Sequence, residues 1–74
     1  MTRRLPAFAL ELGQRVLIDG HPAQVIGTRP HPDRDQAARG RLQLCLVRWS
    51  GHAYWVDYLT VNAADPIALD GDTV

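Results

Sequence analysis

The stretch LQLCLVRWSGHAYWVDYL, Leu42 to Leu59, constrains this chain more than any other. Two runs rich in Val, Leu, Trp and Tyr meet there at a Ser-Gly turn, and together they hold both Trp and both Tyr residues, leaving Phe8 as the one aromatic elsewhere. Runs of that composition separated by a tight turn read as a β-hairpin. Upstream, GQRVLIDGHPAQVIGT (Gly13 to Thr28) repeats the pattern, with Asp19-Gly20 at the turn. Two hairpins in 74 residues leave room for little besides a small all-β domain.

The alternation of side chains along each run sets which residues face a core. Val16 and Ile18 point one way and Arg15 and Leu17 the other; His21-Pro22 opens the returning strand, where a missing N–H is tolerated, and Ala23 to Thr28 carries Val25 inward. Arg29 to Gly40 (RPHPDRDQAARG) has two prolines, several charges and almost no large apolar side chain, so it is expected as a long surface loop with a helical turn at Asp35 to Arg39. Arg41 to Trp49 is apolar on both faces: Leu42, Leu44 and Leu46 on one, Cys45, Val47 and Trp49 on the other. Such a strand either bends to serve two sheets or has one face covered by a neighbouring subunit. Ala53 to Asp57 returns, Tyr58-Leu59 is expected as a 3₁₀ turn, and Thr60 to Asn62 as a last short strand.

The fold class expected is therefore all-β, a five-stranded SH3-like (Tudor-like) barrel with one long charged loop. An OB-type barrel, with longer strands and an added helix, needs more chain. The expected division is an N-terminal arm over residues 1–12, the barrel over 13–64 and an acidic C-terminal tail over 65–74, with Ile67 and Leu69 packing back.

Size and composition bound the rest. So small a domain buries only about 60% of the surface its unfolded chain exposes, so a homo-oligomer or a partner is a ready source of stability. Cys45 is the sole cysteine, which leaves no internal disulfide and no Cys-based zinc site, and fits a reducing, cytoplasmic setting. The apolar part of MTRRLPAFALEL is broken by Pro6 and Glu11 and is too short for a membrane span. Formal charge is zero, but all eight cations are arginines lying between Met1 and Arg48, whereas Asp57, Asp65, Asp70 and Asp72 follow. A coding bias toward Arg explains the lack of lysine better than selection for forked donors does.

The aromatic hairpin carries the candidate site. Trp49 and Trp55 flank the turn, so one can enter the core while the other, with Tyr54 or Tyr58, forms an outward platform suited to a cation, a proline-rich segment or a stacked base. The competing expectation is that all four rings are core or subunit-interface anchors. Asp57 pairs with Arg48 across the strands or receives a cationic ligand. Arg29, Arg34 and Arg39 place donors in the long loop, and with Arg3, Arg4 and Arg41 they offer phosphate contacts to a nucleic acid. His21, His31 and His52 each lie beside Pro or Gly without ligand spacing, so solvated turn histidines are expected and no metal or cofactor is implied.

LVRWSGH followed by Tyr54-Trp55-Val56 resembles the LV-K/R-W-x-G and later Trp of chromodomains and chromo-barrel or Tudor-like domains, a resemblance that implies a barrel hairpin and aromatic side chains able to cage methylated lysine. Gly13-x-Arg15-Val16 and Gln24-Val25-Ile26-Gly27 are similar to elements of the type II dihydrofolate reductases, single SH3-like barrels whose Val-Gln-Ile-Tyr active-site strand would stand at Tyr54 to Leu59. The Gln and Ile of that strand are absent here. The expectation is thus a non-catalytic module that binds a protein or peptide partner through Trp49, Tyr54, Trp55, Tyr58, Arg48, Asp57 and the loop arginines, with nucleic-acid binding as the alternative.

Overall fold

The computed structural model describes residues 3–70; Asp72 and the rest of the acidic end beyond Asp70 lie outside them. One antiparallel sheet of six strands makes up the fold: β1 (Arg4–Pro6), β2 (Arg15–Ile18), β3 (His21–Pro30), β4 (Arg41–Ser50), β5 (Ala53–Asn62) and β6 (Pro66–Leu69). A 3₁₀ turn, Ala7–Ala9, follows β1, and a short helix, α1 (Arg34–Ala38), joins β3 to β4. The sheet order is β1-β6-β2-β3-β4-β5. No helix among the described residues is long and apolar enough to cross a membrane.

Both expected hairpins form. Asp19 and Gly20 have φ of 52° and 80°, the paired left-handed geometry that a two-residue hairpin turn demands and that Asp-Gly supplies. Pro22 stands opposite Leu17 of β2, while pairing of β3 with β4 begins one residue later at Ala23. The proline therefore withholds a hydrogen that no neighbouring strand calls for.

Ile26 is an extra residue in β3: Val25 pairs with Leu46 and Gly27 with Cys45, so the register slips by one between them. A bulge of this kind bends its strand and deepens the local twist. The bend wraps β3 and β4 around one core in which Val16, Ala23, Val25, Leu44 and Leu46 are fully buried. Ile67 and Leu69 of β6 complete it from the far side, with Ala7 and Leu10 beneath.

The strand count and closure differ from expectation. There are six strands rather than five: the two expected at Ala53 to Asp57 and Thr60 to Asn62 are one strand, β5, and two more form where Arg4–Pro6 pairs along Pro66–Leu69. The sheet is open rather than a closed barrel: β1 spends its pairing on β6, and only a corner links the two edges, where the Ala7 and Phe8 amides donate to the carbonyls of Asp65 (2.9 Å) and Ala63 (3.0 Å). A three-residue strand ending in a proline cannot build a closing ladder.

β5 also differs. The 3₁₀ break expected at Tyr58-Leu59 is absent, and one uninterrupted register carries β5 from Ala53 opposite Ser50 to Asn62 opposite Arg41. Leu59 and Val61 keep the inward alternation and pack against the core edge, which holds the strand straight. The long loop is shortened at both ends by β3 and α1. Asp33 caps α1, its carboxylate accepting from the amides of Asp35 (2.8 Å) and Gln36 (3.5 Å).

Candidate interaction surface

Register decides which aromatic side chains meet. Across β4 and β5 the opposed pairs are Cys45 with Tyr58, Val47 with Val56, and Trp49 with Tyr54, and all six project from the side of the sheet away from the core. The other alternation set, Leu44 with Leu59 and Leu46 with Asp57, faces inward. Tyr54, Val56 and Tyr58 are 79%, 52% and 55% exposed, so this outer face is an apolar surface that no element of the described chain covers.

Two arginines rest on it. The Arg15 guanidinium lies 5.0 Å from the Trp49 ring centre and that of Arg29 lies 5.5 Å from Tyr58, both within cation–π range. Arg29 is further held by its Nε donating to Gln43 Oε1 at 2.6 Å, while Arg15 approaches the Asp70 carboxylate at 4.0 Å. The result is a platform with aromatic and aliphatic centre and two forked donors at its rim. Arg15 was not singled out as a site residue from sequence. Only the strand order, which lays β2 beside β3 and brings Arg15 within reach of Trp49, reveals it.

Trp55 is separated from that platform. It projects from the opposite side of β5, opposed by Arg48, and is 46% exposed. Arg48 Nη1 donates to Asp57 Oδ2 at 3.2 Å, the cross-strand pair expected of these residues, and Asp57 Oδ1 accepts from the Tyr58 amide at 2.9 Å. Neither tryptophan enters the core. The four rings thus divide three to one between the two sides of the hairpin.

The loop arginines are split in the same way. Arg29 belongs to β3 and joins the platform, whereas Arg34 opens α1 and Arg39 caps its end, before β4 starts. At about 3.3 Å per residue, the eight-residue step along β4 from Arg41 to Trp49 puts them on the order of 25 Å from the hairpin end. A small ligand on the rings does not reach them.

A groove of about 510 Å³ lies along the open seam, lined on one side by Leu59 and on the other by Arg4, Pro66, Ile67 and Ala68, with Asp19 and Gly20 at its end. His31 serves structure: its Nδ1 accepts from the Asp33 amide at 3.0 Å, which leaves Nε2 carrying the proton that faces Thr60 Oγ1 at 3.0 Å. Among the described residues no three His, Cys, Asp or Glu side chains converge on a point suited to a metal ion. Compared with family models, with curated proteins and with solved structures, the chain matches none.

Proposed function

We propose that this chain is a non-catalytic interaction module, a small sheet of the SH3-like or Tudor-like type that binds a protein or peptide partner through the outer face of β4 and β5. The β2-to-β5 meander, tight at its first and last turns and joined through α1 in the middle, with β6 returning beside β2, supports the fold type. The carrying observation is that Tyr54, Val56 and Tyr58 stand exposed in a row on one side of one strand. Contiguous apolar surface of this kind on a small domain marks an interaction site, and Tyr, Trp and Arg are the residues that anchor such sites.

In this reading Tyr54, Val56 and Tyr58 are the anchors, Trp49 is the half-buried floor, and Arg15 and Arg29 are rim donors to carboxylates of the partner. Trp55, Arg48 and Asp57 offer a second flank, and Arg34 and Arg39 meet only an extended partner. Because arginines already occupy the faces of Trp49 and Tyr58, a methylated lysine competes with the chain's own cations. An extended apolar peptide with acidic flanks fits better.

Tryptophan fluorescence titrated with a set of synthetic peptides (acidic-apolar, proline-rich and trimethyl-lysine) tests this. The acidic-apolar peptide is expected to bind with a modest salt dependence, set by the two rim arginines, and to lose about tenfold or more on Tyr54→Ala plus Tyr58→Ala, the loss of two aromatic anchors. Unchanged binding by that folded double variant refutes the platform. The alternative, a single-stranded nucleic acid stacked on the same rings, draws support from the arginine clusters and predicts affinity that falls steeply with salt and weakens on Arg34→Ala plus Arg39→Ala.

A further inference from the structure

The two edges of the sheet are treated differently. At one, β1 is three residues long and contains Arg4 and Pro6, the features that keep an edge from pairing with another chain. At the other, β5 runs for ten residues with no Pro, no Lys and no bulge, and Asp57 is its single charge. Its unpaired backbone groups can be assigned. The Gly51-His52 turn makes Ser50 and Ala53 a hydrogen-bonded pair, so Trp55, Asp57 and Leu59 bond to β4 while the amides and carbonyls of Tyr54, Val56 and Tyr58 point away from the sheet. The hydrogen bonds agree, since the amides of Tyr58 and Asn62 are met by the carboxylates of Asp57 and Asp65 rather than by β4.

We infer that β5 pairs edge to edge with β5 of a second copy of this chain, antiparallel about a two-fold axis at Val56. The contact uses the backbone edge of β5 and stands beside the outer-face platform rather than on it. An isologous contact sets residue i against j and j against i, and about Val56 the run Tyr54-Trp55-Val56-Asp57-Tyr58 is complementary to itself. In that register Val56 meets Val56, Tyr54 meets Tyr58, and the single carboxylate of Asp57 meets the indole of Trp55, so no like charges oppose. An axis at Asp57 sets two carboxylates face to face, and one at Tyr58 sets Tyr54 against Asn62. Zero net charge adds no long-range repulsion between copies.

The pairing forms about six main-chain hydrogen bonds. Asp57 releases the Tyr58 amide to the Tyr54 carbonyl of the other copy and keeps Arg48. Side chains at 54, 56 and 58 remain on the outer face, so the platforms of the two copies become one continuous surface. Five paired residues bury less than the ~1,200–2,000 Å² of a standard interface, which sets the dimer in the weak, micromolar class.

Sedimentation velocity of the full chain over about 1–300 μM, the range that such an interface implies, is expected to move from the 8.2 kDa species to twice that mass. Val56→Pro removes the outward amide at the axis while a proline on a free edge leaves the fold intact, and it is expected to weaken association about 10- to 100-fold through the two hydrogen bonds lost. Val56→Lys, which keeps the amide and opposes two ammonium groups, gives the same result should the proline variant fail to fold. A chain that stays monomeric throughout overturns the inference while leaving peptide binding by the platform to its own titration. A dimer that survives both variants but is lost on Val47→Glu also overturns it, because that dimer stacks faces instead of pairing edges.

Discussion

Leu46 and Val47 are neighbours on β4 with opposite fates, and replacing each with Ala tests the face assignment on which everything else depends. Leu46 is fully buried, opposite Val25 on one side and Asp57 on the other. Its truncation opens a cavity in the core and costs about 3 kcal/mol, the lower part of the range for buried leucines, as in a small core that partly collapses. Val47 is half-buried on the outer face; removing its two methyls at about 0.8 kcal/mol per fully buried carbon, halved for exposure, costs about 1 kcal/mol. For a domain whose total stability is about 4–11 kcal/mol, the first variant loses a large share and the second little. Urea unfolding at fixed protomer concentration, followed by tryptophan fluorescence, measures both midpoints. The thermal counterpart is a fall of about 12–24 °C for Leu46→Ala. Equal losses, or a larger loss at Val47, refute the register of β4 against its neighbours and with it the platform.

Two further outcomes follow from smaller features. Asp33→Ala removes the carboxylate that accepts two amides at the start of α1 and is expected to lower stability by about 1 kcal/mol in the same unfolding assay, with binding at the outer face unchanged because α1 lies at the other end of β4. Mixing the purified chain with NADPH and dihydrofolate is expected to leave the nicotinamide absorbance constant; a steady decline reverses the non-catalytic reading.

The hairpins were legible because their turns are chemically explicit: Asp19-Gly20 and Ser50-Gly51 sit between alternating runs, and the alternation set Val16 and Ile18 apart from Arg15 and Leu17, marked Val25 as core and grouped Leu44 with Leu46, without telling which of the two apolar faces of β4 is the inner one. The continuity of β5 was not legible. Tyr58-Leu59-Thr60 carries no signal separating a strand from a 3₁₀ turn, and the choice is made by Leu59 and Val61 packing on the core edge, a tertiary effect that overrides local preference. β1 and β6 were read only as part of an N-terminal arm and as a segment packing back, since three- and four-residue strands containing proline look like loops until their partners are known. At the site, composition named the aromatic residues correctly as hairpin residues. Parity along the strand then sets Trp55 apart from Trp49, Tyr54 and Tyr58, and Arg15 enters through a neighbouring strand far away in sequence.

The position of β6 between β1 and β2 has a kinetic consequence. β2 through β5 each pair with the next strand in sequence, whereas Leu69 pairs with Val16 across about fifty intervening residues. Loop-closure entropy makes β6 the costliest strand to bring in, and it is expected to dock last. Until Leu69 has been synthesised, the nascent meander holds one side of its apolar interior open to solvent, and the last few residues of the sheet act as the latch that ends that exposure.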